Sequence, residues 1–305
     1  MYEAKQLVFY TCVSPVHMGA GSAVGAIDNP IQREVHTEYP LIAGSGLKGA
    51  VRHHFTRSWS GAGSKALIAR LFGPEKEASD HAGAIAFTDA ALVAFPVRSL
   101  KNTYVYATSP TALGRLKRLA DGMAPWTVPA VAAGHALVAG VGALSENRLV
   151  LEAFDFAAKE DAGIKAIAQW LAQHSLPASD EHQFFRDKLA ADLVVLSDTE
   201  FSHFVRHATV VEPHVRIDDA TGTEAGGGFF YTENLPPETI LAGLVMASVE
   251  RRKSGANNDG LMDAQQVINA VLKDDGNERQ GLTDRLLQVG GDATTGRGLI
   301  VVHSA

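Results

Sequence analysis

Residues 17–54 read HMGAGSAVGAIDNPIQREVHTEYPLIAGSGLKGAVRHH. Glycines stand at 19, 21, 25, 44, 46 and 49, and one aspartate, Asp28, precedes Asn29-Pro30. Before this stretch, QLVFYTCVSP (6–15) is short, apolar and β-rich, which predicts a strand. At its end, Leu47, Ala50, Val51 and Phe55 recur at helical spacing. That spacing predicts a helix over about 46–58 with one buried stripe and Ser45 as its cap. Lys48 and Arg52, four apart, share a different face. A strand therefore feeds a long Gly-rich connection, 16–44, and then a basic helix start. Connections of such length in a compact domain carry function or move.

GSGLKG sets backbone N–H groups at a helix start beside Lys48, an arrangement suited to phosphate. A tight turn leading into a capped helix explains the same residues. Asp28 alone reads as a turn former. No ExxE or DxD surrounds it, so no dedicated two-metal cage is indicated. GAGSAVG matches a dinucleotide fingerprint only loosely, and no GxxxxGK[ST] occurs, which disfavours Rossmann and P-loop folds. His203 and His207 are four apart, but Phe204 stands where a zincin needs glutamate. No nucleophile elbow stands out.

The remaining chain alternates element types. GAIAFTDAALVAFPVR (83–98) reads as one or two strands, and TALGRLKRLADG (111–122) as a basic amphipathic helix. Residues 122–150 give no clear assignment. Residues 154–176 read as a strand end and a helix, and 193–218 as strand, short helix and extended chain. TGTEAGGGFF (221–230) reads as a second Gly-rich loop, ETILAGLVMASV (238–249) as a buried strand, RRKSGANNDG (251–260) as a polar loop and 262–276 as a helix. A third Gly-rich loop, GGDATTGRG (290–298), precedes a closing strand, LIVVH (299–303). There Arg297, between Gly296 and Gly298, suits a flat contact with backbone or phosphate. Two split βαβ halves with long insertions fit the α+β, ferredoxin-like class.

The chain has 305 residues, 46% of them hydrophobic, enough for one large domain or a domain with sizeable insertions. A single cysteine, Cys12, excludes a disulfide framework or a Cys-rich zinc site and fits a reducing cytoplasm. No apolar run reaches membrane-spanning length, and the first residues do not read as a signal peptide. The net charge of −7 counts against a free-standing nucleic-acid binder but not against a local basic groove. Basic residues do cluster: Lys48, Arg52 and Arg57; Arg115, Lys117 and Arg118; Arg251, Arg252 and Lys253. A solvated helix face is the ordinary explanation of each.

Taken together, the H-x-G-x-G after the first strand, IDNPIQREVHTEYPLIAGSGLKGAVR, SDTEFSHFVRHATVVEPHVRID, FFYTENLPPETI and GGDATTGRGLI resemble the RAMP superfamily of CRISPR proteins. More narrowly they resemble the backbone subunit of the Cmr (type III-B) effector complex. The resemblance runs from residue 7 to residue 303 and is least distinctive over about 60–190.

The resemblance implies an α+β fold: a single domain, 1–305, with an RRM-like (ferredoxin-like) palm from about 5–58, 83–98 and 238–303. Finger and thumb insertions would occupy about 16–44, 99–190 and 200–237. It implies copies stacked in a helical filament on a CRISPR guide RNA, with other Cmr subunits, in the cytoplasm and away from membranes. Single-stranded target RNA pairs with the guide and is cut at six-nucleotide intervals, with Mg²⁺ or Mn²⁺ required. By position, Asp28 corresponds to the acid needed for cutting, as general base or as a metal ligand shared with RNA phosphate. His17, Tyr231 and Glu233 correspond to groups near the cut. Gly44, Ser45, Gly46, Lys48 and Arg52 match the guide-holding helix start, and Gly291, Thr295, Gly296, Arg297 and Gly298 the guide-side loop. A non-catalytic scaffold of the same architecture is the alternative, and Asp28 favours the nuclease. The 16–44 and 221–230 loops are expected to order only with RNA.

Overall fold

The computed structural model describes residues 2–21, 25–75, 81–251, 260–276 and 279–305. Its core is a split βαβ pair. Strand β1 (Ala4–Cys12) runs through the Gly-rich connection, which contains a two-residue strand, β2 (Leu41–Ile42), into helix α1 (Gly44–Ser58). Helix α2 (Ser64–Phe72) and strands β3 (Ile85–Phe87) and β4 (Ala90–Arg98) follow. An excursion then supplies β5 (Tyr104–Thr108), α3 (Pro110–Leu119), β6 (His135–Val138), β7 (Arg148–Leu151), β8 (Phe154–Glu160), α4 (Ala162–His174), α5 (Asp180–Asp192) and β9 (Leu193–Val195). Next come α6 (Asp198–His207), β10 (Val210–Ile217) and β11 (Glu224–Asn234). The chain returns through β12 (Ile240–Ala247), α7 (Ala264–Leu272), β13 (Arg285–Gln288) and β14 (Leu299–Ser304).

The sheet order β14-β1-β12-β4, antiparallel throughout, is the ferredoxin-like arrangement, with α1 and α7 as its crossovers. β13 extends one edge, and β5-β9-β6-β8-β7 extend the other with two parallel pairings, making one mixed sheet. The strict alternation of β1 explains why both faces are covered. Val8, Tyr10 and Cys12 pack with Leu47, Val51 and Phe55 of α1 and with α7. Leu7 and Phe9 point the other way and pack with α4, where Phe9 meets Trp170 edge-on at 6.1 Å. The face on which an RRM stacks bases is therefore closed by protein.

Most predicted elements appear, with instructive differences. α1 begins at Gly44 with Ala43 at its N-cap, so Ser45 lies inside the first turn and caps nothing. The cap comes from a distant side chain, Asp89, whose Oδ1 accepts the Gly44 N–H at 2.7 Å. The second Gly-rich loop is largely strand: β11 starts at Glu224 and pairs with β10 in a two-stranded ribbon. Helices α2 and α5 went unread in the sequence. Most of the polar 251–260 segment, with Arg252 and Lys253, lies outside the described residues.

A two-stranded ribbon is marginal alone, and its base is tied to the body. Val16 and Leu235 exchange backbone hydrogen bonds of 3.0 and 2.9 Å. Along the ribbon, Val211, Val215, Phe229 and Tyr231 are exposed, while Phe230 stacks on His214 at 5.2 Å.

Candidate functional site

The Gly-rich connection is not a free tether where it carries Asp28. Residues 28–31 lie along β11 in a parallel pairing centred on Asn29 and Thr232. The Asn29 N–H donates to the Tyr231 carbonyl at 3.0 Å, and the Glu233 N–H donates to the Asn29 carbonyl at 3.0 Å. The Tyr231 N–H donates to Oδ2 of Asp28 at 2.8 Å, which leaves the rest of that exposed carboxylate facing solvent. Asp28 sits at a bend where the chain enters this pairing, and its side chain is aimed. On the other side, the 31–41 segment folds back on itself through Leu41 to Gln32 and Glu34 to Tyr39 backbone bonds.

Glu233 is buried, only 3% exposed. Its Oε2 accepts from the Ile31 N–H at 3.1 Å; its Oε1 accepts from Arg33 at 2.5 Å and from the Thr209 hydroxyl at 2.9 Å. Its carbonyl lies 2.7 Å from Nδ1 of His17. A carbonyl only accepts, so Nδ1 carries the proton and the neutral ring keeps its lone pair on Nε2. A Cβ on Gly19 would sit 2.9 Å from that Nε2, so glycine there leaves the ring its space. Asp28 and His17 are thus hung from Tyr231 and Glu233, two residues apart on one strand, which separates their anchors by about 7 Å.

The helix start and the last Gly-rich loop meet across Met18, which is 6% exposed. A Cβ on Gly46 would lie 2.7 Å from its methyl group, and one on Gly290 would lie 3.0 Å from its sulfur. Gly290, at φ 72°, passes so close to His17 that a Cβ would come within 2.2 Å of the His17 carbonyl oxygen. Gly291 donates its N–H to that oxygen at 3.0 Å. Within the loop, Thr295 bonds back to the Asp292 carbonyl and Gly296 closes the turn at φ 80°. Gly298 donates to the Pro15 carbonyl at 2.8 Å. The 290–298 loop therefore packs on the segment that follows β1, the segment that carries His17.

The cations divide. Lys48 is half-buried on α1; burial, and secondarily the charge of Arg52, lowers its ammonium below the ordinary lysine range. Arg52 lies 3.6 Å from Glu75. Nη2 of Arg297 contacts both carboxylate oxygens of Glu212 on β10 at 2.6 Å, so this arginine is paired within the chain. Arg115 pairs with Glu34 at 2.6 Å and does not join a free basic patch. A cleft of about 350 Å³ lined by His53, His54, Arg57 and Gln288 runs beside α1. Gln288 also holds the Arg297 carbonyl at 2.6 Å. Among the described residues, no group of three or more His, Cys, Asp or Glu side chains converges to hold a metal.

The sequence pattern of the RAMP superfamily matches residues 9–301. The chain belongs to the RAMP superfamily. This RAMP chain is 31% identical, over 98% of its length and 95% of the other's, to the CRISPR system Cmr endoribonuclease Cmr4 of Pyrococcus furiosus. It is 24% identical to the CRISPR system CMR subunit Cmr4 of Saccharolobus solfataricus, over 98% and 96% of the two chains. It shares its fold with crystalline oligomeric Cmr4 of P. furiosus: TM-score 0.69, 24% identity in the superposition, 98% and 97% coverage. It also shares it with a chain of a type III-B Cmr-beta complex bound to cognate target RNA, seen by cryo-electron microscopy: TM-score 0.72, 19% identity, 99% and 98% coverage.

The fold of this RAMP chain gathers Asp28, His17, Tyr231 and Glu233 on β11, and joins Gly46 to the 290–298 loop through Met18. Sequence reading missed Arg33, Thr209, Asp89 and Glu212, each of which bonds a site residue. Arg33 had a signal: it lies within the IDNPIQRE motif, two residues beyond Ile31. Thr209 and Glu212 had the same kind of signal, since both lie within SDTEFSHFVRHATVVEPHVRID, whereas Asp89 lies in none of these motifs and bonds a residue 45 positions away.

Proposed function

We propose that this chain is the repeating backbone subunit of a type III-B CRISPR ribonucleoprotein, and that it cuts guide-paired target RNA with Asp28. The carrying observation is the exposed Asp28 carboxylate, held by the Tyr231 amide on β11, the strand that also anchors His17, in a chain of the RAMP superfamily. The nuclease reading also draws on likeness to an endoribonuclease along nearly the whole chain.

With the sheet face closed under α4, RNA is left the loops and the ribbon. On this reading Gly44 to Gly46, Lys48, Arg52 and the 290–298 loop hold guide backbone without reading bases, which suits a protein that accepts any guide. The β10–β11 ribbon is the thumb-like hairpin, its exposed aromatics beside Asp28. Attack of a ribose 2′-hydroxyl on the adjacent phosphate forms a 2′,3′-cyclic phosphate and expels the 5′-oxygen, so it needs an in-line arrangement and a route for the proton from the 2′-oxygen to the leaving oxygen. Asp28 sits where a splayed phosphodiester crossing the ribbon base meets it, and Nε2 of His17 is free to accept or return a proton.

One exposed carboxylate fits Mg²⁺ or Mn²⁺, which take hard oxygen ligands and complete their shells with phosphate and water. When bound, such an ion supplies charge stabilisation at the phosphate; Asp28 is the residue that would hold it. The subunit works as one of several copies on a single RNA strand, so weak contacts add, and its acidic net charge limits RNA binding elsewhere. Its place is the cytoplasm, with guide and target; among the described residues no helix is long and apolar enough to cross a membrane.

The test is the assembled complex with guide, complementary RNA and Mg²⁺. Evenly spaced six-nucleotide products are expected from the wild type, and target binding without cutting from Asp28→Ala. Equal cutting by both rejects the reading, and the chain is then a guide-binding scaffold.

A further inference from the structure

We infer that buried Glu233 and its part-buried partner Arg33 form a positioning pair that sets the place of both Asp28 and His17, and that Glu233 takes no part in proton transfer. This rests on the reading of Asp28 as the cutting carboxylate.

The geometry of Glu233 separates positioning from chemistry. A general acid or base must reach the atom it serves. The Glu233 side chain is 4% exposed and both of its oxygens already accept: Oε2 from Ile31, Oε1 from Arg33 and Thr209. Every polar group of this residue is instead bound to something that orients the site. Its N–H holds the Asn29 carbonyl, its C=O holds the His17 ring, and its carboxylate holds the backbone just past Pro30. Asp28 and Ile31 flank Asn29-Pro30, so fixing Asn29 and Ile31 fixes where the Asp28 backbone starts. The Tyr231 amide then fixes its side chain.

Arg33 extends the hold. Its Nη2 takes Glu233, while Nη1 donates to the Glu38 carbonyl at 2.8 Å and the Val205 carbonyl at 2.9 Å. Val205 is in the last turn of α6, where free carbonyls and the helix dipole favour a cation. One guanidinium thus ties the 34–38 turn, α6 and β11 to the segment that carries Asp28. Thr209, in the link between α6 and β10, closes the ring. With Glu233 buried and Arg33 part-buried, removing Arg33 leaves the Glu233 carboxylate without its compensating charge.

The experiment compares Glu233→Gln, Arg33→Ala, Thr209→Val and Asp28→Ala in the guide-loaded complex, under single turnover and with target binding measured separately. Glu233→Gln keeps an acceptor for Ile31 and should cut about tenfold more slowly; Arg33→Ala should lose more and Thr209→Val about threefold. Target affinity should hold, and the pH–rate profile of Glu233→Gln should keep the wild-type shape. Amide hydrogen exchange on the isolated chain is the second readout. The Tyr231 and Ile31 amides should exchange about tenfold faster in Arg33→Ala while the β1–β12 amides stay unchanged, which shows an intact fold.

A Glu233→Gln profile that loses one limb overturns the inference in favour of a chemical role. Cutting and Tyr231 exchange within about twofold of wild type in both Arg33→Ala and Glu233→Gln overturns it outright. Undiminished cutting by Asp28→Ala rejects the nuclease reading instead, and the exchange data still decide the positioning role.

Discussion

The backbone amide of Tyr231 and the carboxylate of Asp28 are joined at 2.8 Å, although 203 residues separate them. A main-chain donor, not the tyrosine ring, aims the acid. The phenol is a bystander to that contact, with its ring edge-on to Phe229 at 5.1 Å.

Tyr231→Phe should therefore leave cutting within about threefold of wild type, whereas Tyr231→Pro, which removes the N–H, should lower it at least about tenfold. Tyr231 pairs with Pro213 across the ribbon, and its N–H points away from β10, so proline there costs the ribbon no ladder bond. Product yield from the assembled complex checks both, and a large loss in Tyr231→Phe would move the weight to the phenol.

Asp28→Asn separates aiming from charge. Asparagine still accepts from the Tyr231 amide but carries no charge, so target binding should persist while cutting falls about a hundredfold or more. A change of less than about threefold would mean that the hydrogen bond, not the carboxylate, matters.

Arg297 is paired with Glu212; on the proposed function, guide phosphate competes with that carboxylate. Glu212→Gln should tighten RNA binding by the isolated subunit, and Arg297→Ala should weaken it and reduce the salt slope by about one. Titration of labelled RNA at several salt concentrations reads both. Unchanged affinity in Glu212→Gln would show that Arg297 stays off the RNA.

Glu238, between the ribbon and β12, accepts from the Tyr106 hydroxyl at 3.2 Å. Burial raises its carboxyl from 4.5 to about 7, and the Tyr106 bond opposes this only in part. The folded state then holds a proton that the unfolded state has released, so this group's stabilising contribution is whole below pH 4.5 and declines as pH rises to about 7. After discounting for partial exposure the loss is about 1–3 kcal/mol. Glu238→Gln should accordingly raise Tm over wild type at pH 8 and not at pH 4, and equal shifts at both pH values would contradict this.

Legibility in the sequence followed the range of the interactions. β1 and β12 follow from short apolar runs and α1, α4 and α7 from helical patterning, both of which are local. Ser45 misled because capping residues resemble first-turn residues, and the true cap partner, Asp89, is 45 residues away. The 221–230 glycines signalled a loop; Gly226 to Gly228 nonetheless lie within β11, at an irregularity of its register with β10 that is bracketed by the pairs Ile217 with Glu224 and Val215 with Phe229. Glu233 could be marked as a site residue but not given a role, since burial and partner identity are not written in a motif.

By itself the amino-acid order determined the split βαβ pattern of an α+β core and the glycine loops, because these depend on residue type and spacing over a few turns; Asp28 became a candidate only through the resemblance to the RAMP superfamily. Only tertiary structure decided that Asp28 is aimed by a distant amide, that Glu233 is a buried hub held by Arg33, and that Arg297 is already paired. Those facts depend on contacts between segments that only folding brings within hydrogen-bond reach.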